Sequence, residues 1–171
     1  MKLLPAADRP ATPWKNGGGV TREVASGPDG TGLDDFGWRV SLADVAASGP
    51  FSAFPGIDRV ITVVDGPGMA LTVDGVRTVI SERYQPFAFP GEAVTGCELL
   101  GGPLVDFNVM TRRGQYEPAV EFVPGGPVAG PALIVVMDGY DAVLLDQGEE
   151  FTVDGAAAVV RITALAGDTQ P

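Results

Sequence analysis

Apolar residues along this chain alternate with polar ones at period two or form short runs bounded by Gly, Pro or Asp, and no long segment repeats them at the 3.6-residue period of a helix. The pattern predicts strands over Trp38–Val45, Val60–Asp65, Met69–Val73, Arg77–Ile80, Val105–Met110, Leu133–Met137, Ala142–Leu145 and Ala157–Thr163. Tight turns are expected at Asp65-Gly66-Pro67-Gly68 and Asp74-Gly75, because Gly tolerates positive φ and Asp accepts turn hydrogen bonds. We therefore predict an all-β chain with antiparallel hairpins and few short helices.

Two stretches of the sequence resemble each other weakly, and this internal echo favours a duplicated strand-turn-strand unit. Val63-Val64-Asp65-Gly66 leads to Leu71-Thr72-Val73-Asp74-Gly75, and Val136-Met137-Asp138-Gly139 leads to Phe151-Thr152-Val153-Asp154-Gly155. Each copy would fold as a small antiparallel β-barrel or sandwich, with the segment Gly114–Pro131 crossing between them. Coincidence is the alternative, because Val-Asp-Gly is an ordinary hairpin end. With 171 residues, we expect one compact folding unit composed of an N-terminal part, 1–113, and a C-terminal part, 114–171.

The charge pattern limits the partners. The chain has 11 Lys and Arg residues against 22 Asp and Glu residues, a net charge of −11 that repels nucleic-acid phosphates and acidic membrane surfaces. Ten of the eleven cationic side chains precede Gly114, and only Arg161 follows it. We therefore expect neither nucleic acid nor a membrane as a partner, and an anion-binding site belongs in the first part. The alternative is that the acidic surface only maintains solubility.

The residue types that the chain lacks exclude several kinds of chemistry. Histidine is absent, so no Ser/His/Asp triad, Cys/His pair or imidazole base is available. Transition-metal sites usually need imidazole or several thiolates, which leaves only an all-oxygen site for a hard ion as an alternative to no metal. The single cysteine, Cys97, is expected to be a small buried apolar residue. We predict no metal and no cofactor.

The location of the protein follows from its hydropathy. No run is long and apolar enough to span a bilayer, and Met1-Lys2-Leu3-Leu4-Pro5 lacks the apolar stretch of a secretory signal. We therefore expect a soluble cytoplasmic protein.

The segment Trp14-Lys15-Asn16-Gly17-Gly18-Gly19 combines groups that suit a carboxylate. Three successive glycines allow close backbone approach and expose amide donors, Trp14 offers an aromatic wall and Lys15 a positive charge. The segment is no phosphate loop, because no helical pattern with a Gly-Lys-Ser/Thr ending follows. A flexible or bulged start of a strand is the alternative.

Alternation in two predicted strands groups polar side chains on single faces. Arg39, Ser41 and Ala43 share one face of the first, and Asp106, Asn108 and Met110 share one face of the second. If these faces point inward they converge on one cavity, and if they point outward they form ordinary surface.

Arg59 follows a turn-rich approach to a strand. Its guanidinium can hold a carboxylate bidentately or pair with Asp58 or Glu23. Phe51 and Phe54 lie in the preceding loop, where we expect Phe51 to line a pocket and Phe54 to pack locally.

Three blocks of this sequence resemble the HutD/Ves family: Pro13-Trp14-Lys15-Asn16-Gly17-Gly18-Gly19-Val20-Thr21-Arg22-Glu23, Trp38–Val45 followed by Gly49–Arg59, and Asp106-Phe107-Asn108-Val109-Met110 with Arg112-Arg113. The resemblance implies a double-cupin (bicupin) fold without the usual metal-binding histidines. It also implies, for the HutD branch, a modulator of histidine catabolism that senses a pathway intermediate, and for the Ves branch a stress response. The match favours the inward-facing arrangement of the polar faces.

Our leading hypothesis is therefore a metal-free binding module for a small anionic metabolite. The resemblance suggests urocanate, formylglutamate or formate as the ligand. The candidate ligand-binding residues are Trp14, Lys15, Asn16, Glu23, Arg39, Ser41, Phe51, Arg59, Asp106, Asn108 and Met110. One alternative is a metal-independent isomerase or lyase that uses Glu23 or Asp106 as the base after desolvation raises its pKa. Another is an interaction scaffold, in which exposed strands pair two copies into a homodimer.

Overall fold

In the computed structural model, the described residues, 1–167, form seventeen β-strands and a 3-10 turn at Ala6–Asp8. The strands are β1 (Lys2–Leu4), β2 (Thr12–Pro13), β3 (Gly19–Gly27), β4 (Trp38–Val45), β5 (Gly49–Pro50), β6 (Ile57–Asp65), β7 (Met69–Val73), β8 (Val76–Ile80), β9 (Phe87–Pro90), β10 (Thr95–Leu99), β11 (Leu104–Arg112), β12 (Tyr116–Val123), β13 (Gly126–Ala129), β14 (Ala132–Val136), β15 (Ala142–Leu145), β16 (Glu150–Val153) and β17 (Ala157–Ala164). The all-β prediction is confirmed. Within residues 1–167, no helix has the length and apolarity needed to cross a membrane.

The first of two compact units, Pro10–Arg113, consists of two antiparallel sheets. One sheet has the order β2-β3-β4-β11-β6-β9, and the other has the order β5-β10-β7-β8. Alternate apolar side chains of both sheets meet in a shared core that includes Ile61, Val63, Met69, Leu71 and Leu104. This burial holds the two sheets together as a sandwich rather than a closed barrel.

The turn between β7 and β8 has the conformation that its sequence predicts. Asp74 and Gly75 both adopt positive φ, 45° and 84°, as a type I′ hairpin requires. The two strands pair in register from Val73 opposite Val76 to Met69 opposite Ile80.

The second unit comprises Met1–Arg9 and the chain from Gly114 onwards. Its sheets have the orders β1-β15-β14-β17-β12 and β13-β16, and all pairs are antiparallel. The sequence groups residues 1–9 with the N-terminal part, whereas β1 pairs with β15, where Leu3 lies opposite Val143. The last four residues of the predicted part 114–171 lie outside the described residues.

The prediction that Gly114–Pro131 merely crosses between two parts is wrong. This segment contains β12, which pairs along its whole length with β17, and β13, which pairs with β16. The period-two pattern of β12 was present in the sequence, with half-buried Tyr116, Pro118 and Val120 alternating with exposed residues. A proline inside the run hid it, although a proline is compatible with β12 because that strand is at the edge of its sheet.

The internal echo does not mark equivalent positions in the two units. Asp65-Gly66 carries the chain from one sheet to the other and Asp74-Gly75 closes a hairpin, whereas the loop holding Asp138-Gly139 closes the β14–β15 hairpin and Asp154-Gly155 connects two sheets. The repeated Asp-Gly turns thus occupy different places in the two units, and the two-unit architecture has to be recognised from the whole strand pattern.

Gly66 is expected to be intolerant of any side chain. Its φ is +92°, and a Cβ there would lie 2.5 Å from the carbonyl oxygen of Pro103. We expect Gly66→Ala to lower the free energy of unfolding by about 2 kcal/mol or more in urea titrations. Gly96→Ala is the matched control, because a Cβ at Gly96 meets nothing within 4 Å. Equal stability of the two variants would contradict this account of the turn.

Candidate functional site

The unit Pro10–Arg113 contains a cavity of about 680 Å³, a size typical of small-molecule sites. It is lined by all eleven residues that the sequence singled out: Trp14, Lys15, Asn16, Glu23, Arg39, Ser41, Phe51, Arg59, Asp106, Asn108 and Met110. The structure therefore brings these side chains together, and the assignment of each to ligand binding stays a prediction.

Strand register explains why the polar residues converge. On β11, Met110 lies opposite Arg39 of β4 on one side and opposite Arg59 of β6 on the other. Asn108, two residues earlier, lies opposite Ser41 of β4. Because residues two apart share a face of a sheet, these side chains line the same cavity wall. Of the two orientations that alternation left open, the inward one is found.

Arg59 is a buried cation with unused hydrogen-bonding capacity. Its side chain lies among three aromatic rings, with the guanidinium carbon 5.5, 5.4 and 5.0 Å from the ring centres of Phe51, Phe54 and Phe89. Its Nη1 donates a long hydrogen bond of 3.5 Å to the carbonyl oxygen of Ser52, and its Nε has no partner. Burial lowers the pKa of Arg59 to about 10, so the group is still charged at neutral pH.

Asp106 faces the same cavity and is only 1% exposed. Burial raises its pKa to about 7, an effect that the positive charge of Arg59 opposes and the negative charge of Asp44 reinforces. The Oδ1 atoms of Asp106 and of neighbouring Asn108 have no hydrogen-bond partner. Buried polar atoms without partners are costly, so a ligand that supplies hydrogen bonds here would be favoured.

The ion pairs considered for Arg59 are not formed. Asp58 instead accepts hydrogen bonds from Arg113, at 2.6 Å from Nη2, and Glu23 accepts one of 2.8 Å from Nε of Arg39. The Glu23 side chain is 43% exposed, so it stays in contact with solvent. Arg59 is thus a buried cation that remains available to a ligand.

The glycine-rich segment supports the cavity in a different way from the one expected. The amide of Gly17 donates to the carbonyl oxygen of Trp14, at 3.0 Å, and the amide of Gly18 donates to Oδ1 of Asn16, at 2.9 Å. The prediction that these amides are exposed to a ligand is wrong, because a local turn uses both of them. Trp14 is fixed by a 2.7 Å hydrogen bond from its indole to Oγ1 of Thr21.

The absence of a side chain at Gly19 leaves space for the ring of Trp14, which lines the cavity. A Cβ at this position would lie 2.7 Å from the carbonyl oxygen of Asp44 and 3.0 Å from the ring of Trp14. The Trp14 ring also packs edge-on against Phe51, with centroids 5.9 Å apart. Lys15 is exposed in this segment, so the charge that it contributes stays in contact with water.

Sequence reasoning missed several further lining residues, including Thr21, Leu33, Ala43, Ser52 and Phe54. Alternation placed Ala43 on the same face as Arg39 and Ser41, although Ala43 was not among the candidate ligand-binding residues. Phe54 was expected to pack locally, and it does lie against Phe36, with ring centres 6.5 Å apart, while also facing Arg59. Leu33 lies in an irregular loop, where no pattern indicates orientation.

Comparison with known proteins relates the chain to one family. A statistical model of the HutD family matches residues 6–165. An uncharacterised 21.2 kDa protein in the hutC 3′ region of Pseudomonas putida is 46% identical over 125 residues, which cover 73% of this chain and 65% of that protein. Protein Ves of Citrobacter koseri is 41% identical over 121 residues, covering 70% of this chain and 62% of Ves. The chain thus spans less than two thirds of the length of these relatives.

A solved structure extends the similarity to both units. HutD from Pseudomonas fluorescens SBW25, in a structure described as its formate condition, aligns with a TM-score of 0.83 and 36% identity, covering 96% of this chain and 99% of that chain. Together with the antiparallel two-sheet units, this similarity confirms the double-cupin fold class.

Asp106 is expected to make stability depend on pH. Its folded-state pKa of about 7 exceeds the ordinary value of 3.8, so the folded chain binds this proton more tightly than the unfolded chain does. The free energy of unfolding should therefore fall as pH rises from about 4 to about 7, by roughly 4 kcal/mol, and level off above that. Urea titrations at pH 5 and pH 8 measure the difference, which Asp106→Asn should reduce.

The matched control is Glu98→Gln, which removes an acid whose side chain is 65% exposed. It should keep the wild-type difference between pH 5 and pH 8. An unchanged difference in Asp106→Asn would show that the buried carboxyl does not titrate in this range.

Proposed function

This chain belongs to the HutD family, and from that membership and the geometry of the cavity we propose that it binds a small carboxylate metabolite through Arg59, without a metal ion. The observation that carries the proposal is a charged guanidinium, 5% exposed, whose Nε has no partner and which faces a cavity. Within residues 1–167, no group of three or more His, Cys, Asp or Glu side chains is arranged to hold a metal.

A carboxylate suits the environment of Arg59 for two reasons. Its two oxygens match the fork of N–H donors on a guanidinium, and hydrogen bonds between charged groups are roughly twice as strong as neutral ones. The three phenylalanines around Arg59 shield it from water and provide no carboxylate or carbonyl acceptor. The weak hydrogen bond to the carbonyl oxygen of Ser52 is therefore the protein contact with which a ligand carboxylate would compete for the guanidinium. A ligand acid group therefore supplies what the protein itself does not.

The remaining polar atoms favour a ligand that donates hydrogen bonds as well. The unpartnered Oδ1 of Asn108 is an acceptor on the cavity wall. Urocanate carries an N–H group besides one carboxylate and formylglutamate carries an N–H group besides two, whereas formate carries a carboxylate alone and would fill a small fraction of the cavity. We therefore propose formylglutamate and urocanate as ligands and formate as a fragment that occupies the carboxylate subsite.

The physiological role that we propose is a sensor or modulator in histidine utilisation. Support comes from the name of the Pseudomonas putida relative, which refers to the hutC region, and from the similarity to HutD of Pseudomonas fluorescens. A binding module of this kind reports the level of a pathway intermediate by occupancy of its cavity.

A metal-independent enzyme is the second candidate, and the pKa of Asp106 favours it. A carboxyl whose pKa is raised to about 7 can act as general base or acid near neutral pH. Turnover of a candidate ligand that disappears in Asp106→Asn would support the enzyme, and binding without turnover would support the sensor.

Loss of Arg59 is expected to abolish most of the affinity. Isothermal titration of the wild type with formylglutamate, urocanate and formate should give heat with at least one of them. Arg59→Met, which keeps much of the apolar stem, should weaken binding roughly tenfold or more through loss of a charge-assisted hydrogen bond.

Arg83→Ala is the matched control, because Arg83 is an exposed arginine that pairs with Asp65 and does not line the cavity. Its affinity should equal that of the wild type. The absence of heat with all three compounds at millimolar concentration, or wild-type affinity in Arg59→Met, would contradict the proposal.

A further inference from the structure

Arg59 and Asp106 are two buried, oppositely charged side chains that line one cavity without touching. They are 5% and 1% exposed, and neither forms a salt bridge within the described residues. Arg59 lies opposite Met110 of β11. Met110 is four residues from Asp106 on the same strand, so the backbone positions of Met110 and Asp106 are roughly 13 Å apart. Asn108 lies between them on the same face, with its Oδ1 unpartnered. A ligand placed between Arg59 and Asp106 would therefore lie beside both.

The charges already present in this cavity limit how an anion can be bound there. Lys15 is exposed to water at the cavity's edge and Arg39 is already paired with Glu23, while the positive charge of buried Arg59 is balanced by Asp106 when that carboxyl is ionised. A ligand carboxylate bound beside Arg59 would then leave one uncompensated negative charge in a water-poor site, which is costly. One proton taken up with the ligand removes that excess.

We propose that the cavity binds its carboxylate ligand together with a proton held by Asp106, whose neutral carboxyl group donates a hydrogen bond to a ligand oxygen while Arg59 binds the ligand's charge. This inference rests on the proposed function and concerns the regulation of the same site. Binding is then coupled to proton uptake, so the affinity falls as pH rises.

The other charged and titratable groups near Asp106 do not offer a better place for the proton. They are Arg59 on β6, Arg39 and Asp44 on β4, Glu23 on β3, Cys97 on β10 and Lys15 in the turn before β3. Glu23 and Asp44 are half-exposed and ion-paired with arginines, so neither is a buried acid of the cavity. Burial raises the pKa of Cys97 to about 11, so its thiol already carries a proton at neutral pH. Asp106 is the buried acid left to accept one.

The strength of the coupling follows from the pKa of the free protein. Asp106 titrates at about 7 without ligand, and a bound carboxylate raises its pKa further. Below pH 7 the acid is already neutral, and binding takes up little or no proton. Above pH 7 binding takes up approximately one proton, so the affinity falls about tenfold for each pH unit.

Titration calorimetry tests this coupling with formate as the probe, since formate brings the single ionised carboxylate that the charge balance assumes from pH 6 to pH 9, or with formylglutamate, which brings two, if only formylglutamate binds. Measurements at each pH in two non-anionic or zwitterionic buffers with different heats of ionisation separate the heat of buffer deprotonation and so count protons. The wild type should take up close to one proton at pH 8 and close to none at pH 6. Its affinity should fall about tenfold from pH 7.5 to pH 8.5.

Asp106→Asn keeps the shape of the side chain and a hydrogen-bond donor while removing the titration. It should bind the probe with an affinity that is independent of pH and with no proton uptake at pH 8, and Asp106→Ser provides the same test if the Asn variant does not fold. Glu98→Gln, an acid outside the cavity, should behave as the wild type.

The outcomes separate this inference from the proposed function. Binding by the wild type with no proton uptake at pH 8 overturns the coupling and leaves the carboxylate site standing. Proton uptake that persists in Asp106→Asn overturns the assignment of the proton to Asp106. No binding of any carboxylate at any pH overturns the proposed function itself.

Discussion

The burial of the Arg59 guanidinium is the constraint on which the account of this protein depends. A charged group removed from water needs compensation, and here it comes from three aromatic faces, one long hydrogen bond and the more distant carboxyl of Asp106. That compensation leaves the Nε donor without a partner. The fold thus holds a cation in a state that a ligand acid group can satisfy better than the protein does.

The sandwich of the Pro10–Arg113 unit makes this arrangement rigid. Arg59, Asp106 and Asn108 are on central strands of the six-stranded sheet, where hydrogen bonds on both sides fix the backbone. The walls come from elements at the sheet margin: the loop before β6 supplies Phe51 and Phe54. Central strands are well suited to position charged groups with small error, and loops are better suited to vary the shape of the walls.

Much of the fold and the site was predictable because period-two alternation is a local signal. The strands β4, β7 and β15 were predicted with their observed bounds, and the inward faces of β4 and β11 supplied the polar residues of the cavity. Short strands such as β5 and β9 were missed because two to four residues cannot establish a period.

The contacts that individual polar groups make in the fold were not predictable, because they depend on the folded chain and often on partners that are distant in sequence. The amides of Gly17 and Gly18 donate hydrogen bonds within a local turn, and Glu23 forms an ion pair with Arg39, sixteen residues away. Alternation shows that Asp106 shares a face with Asn108, but the near-neutral pKa of Asp106 arises from complete burial. Burial is a property of the folded chain.

A crystal structure of the protein grown with formylglutamate at pH 6 would show directly what binds Arg59. We expect the ligand inside the cavity of the Pro10–Arg113 unit, with a carboxylate oxygen about 3 Å from Nε of Arg59 and an atom of the ligand within hydrogen-bond distance of Asn108. A ligand bound elsewhere would contradict this expectation. So would a carboxylate held only by Lys15 at the surface, with Nε of Arg59 still unpartnered.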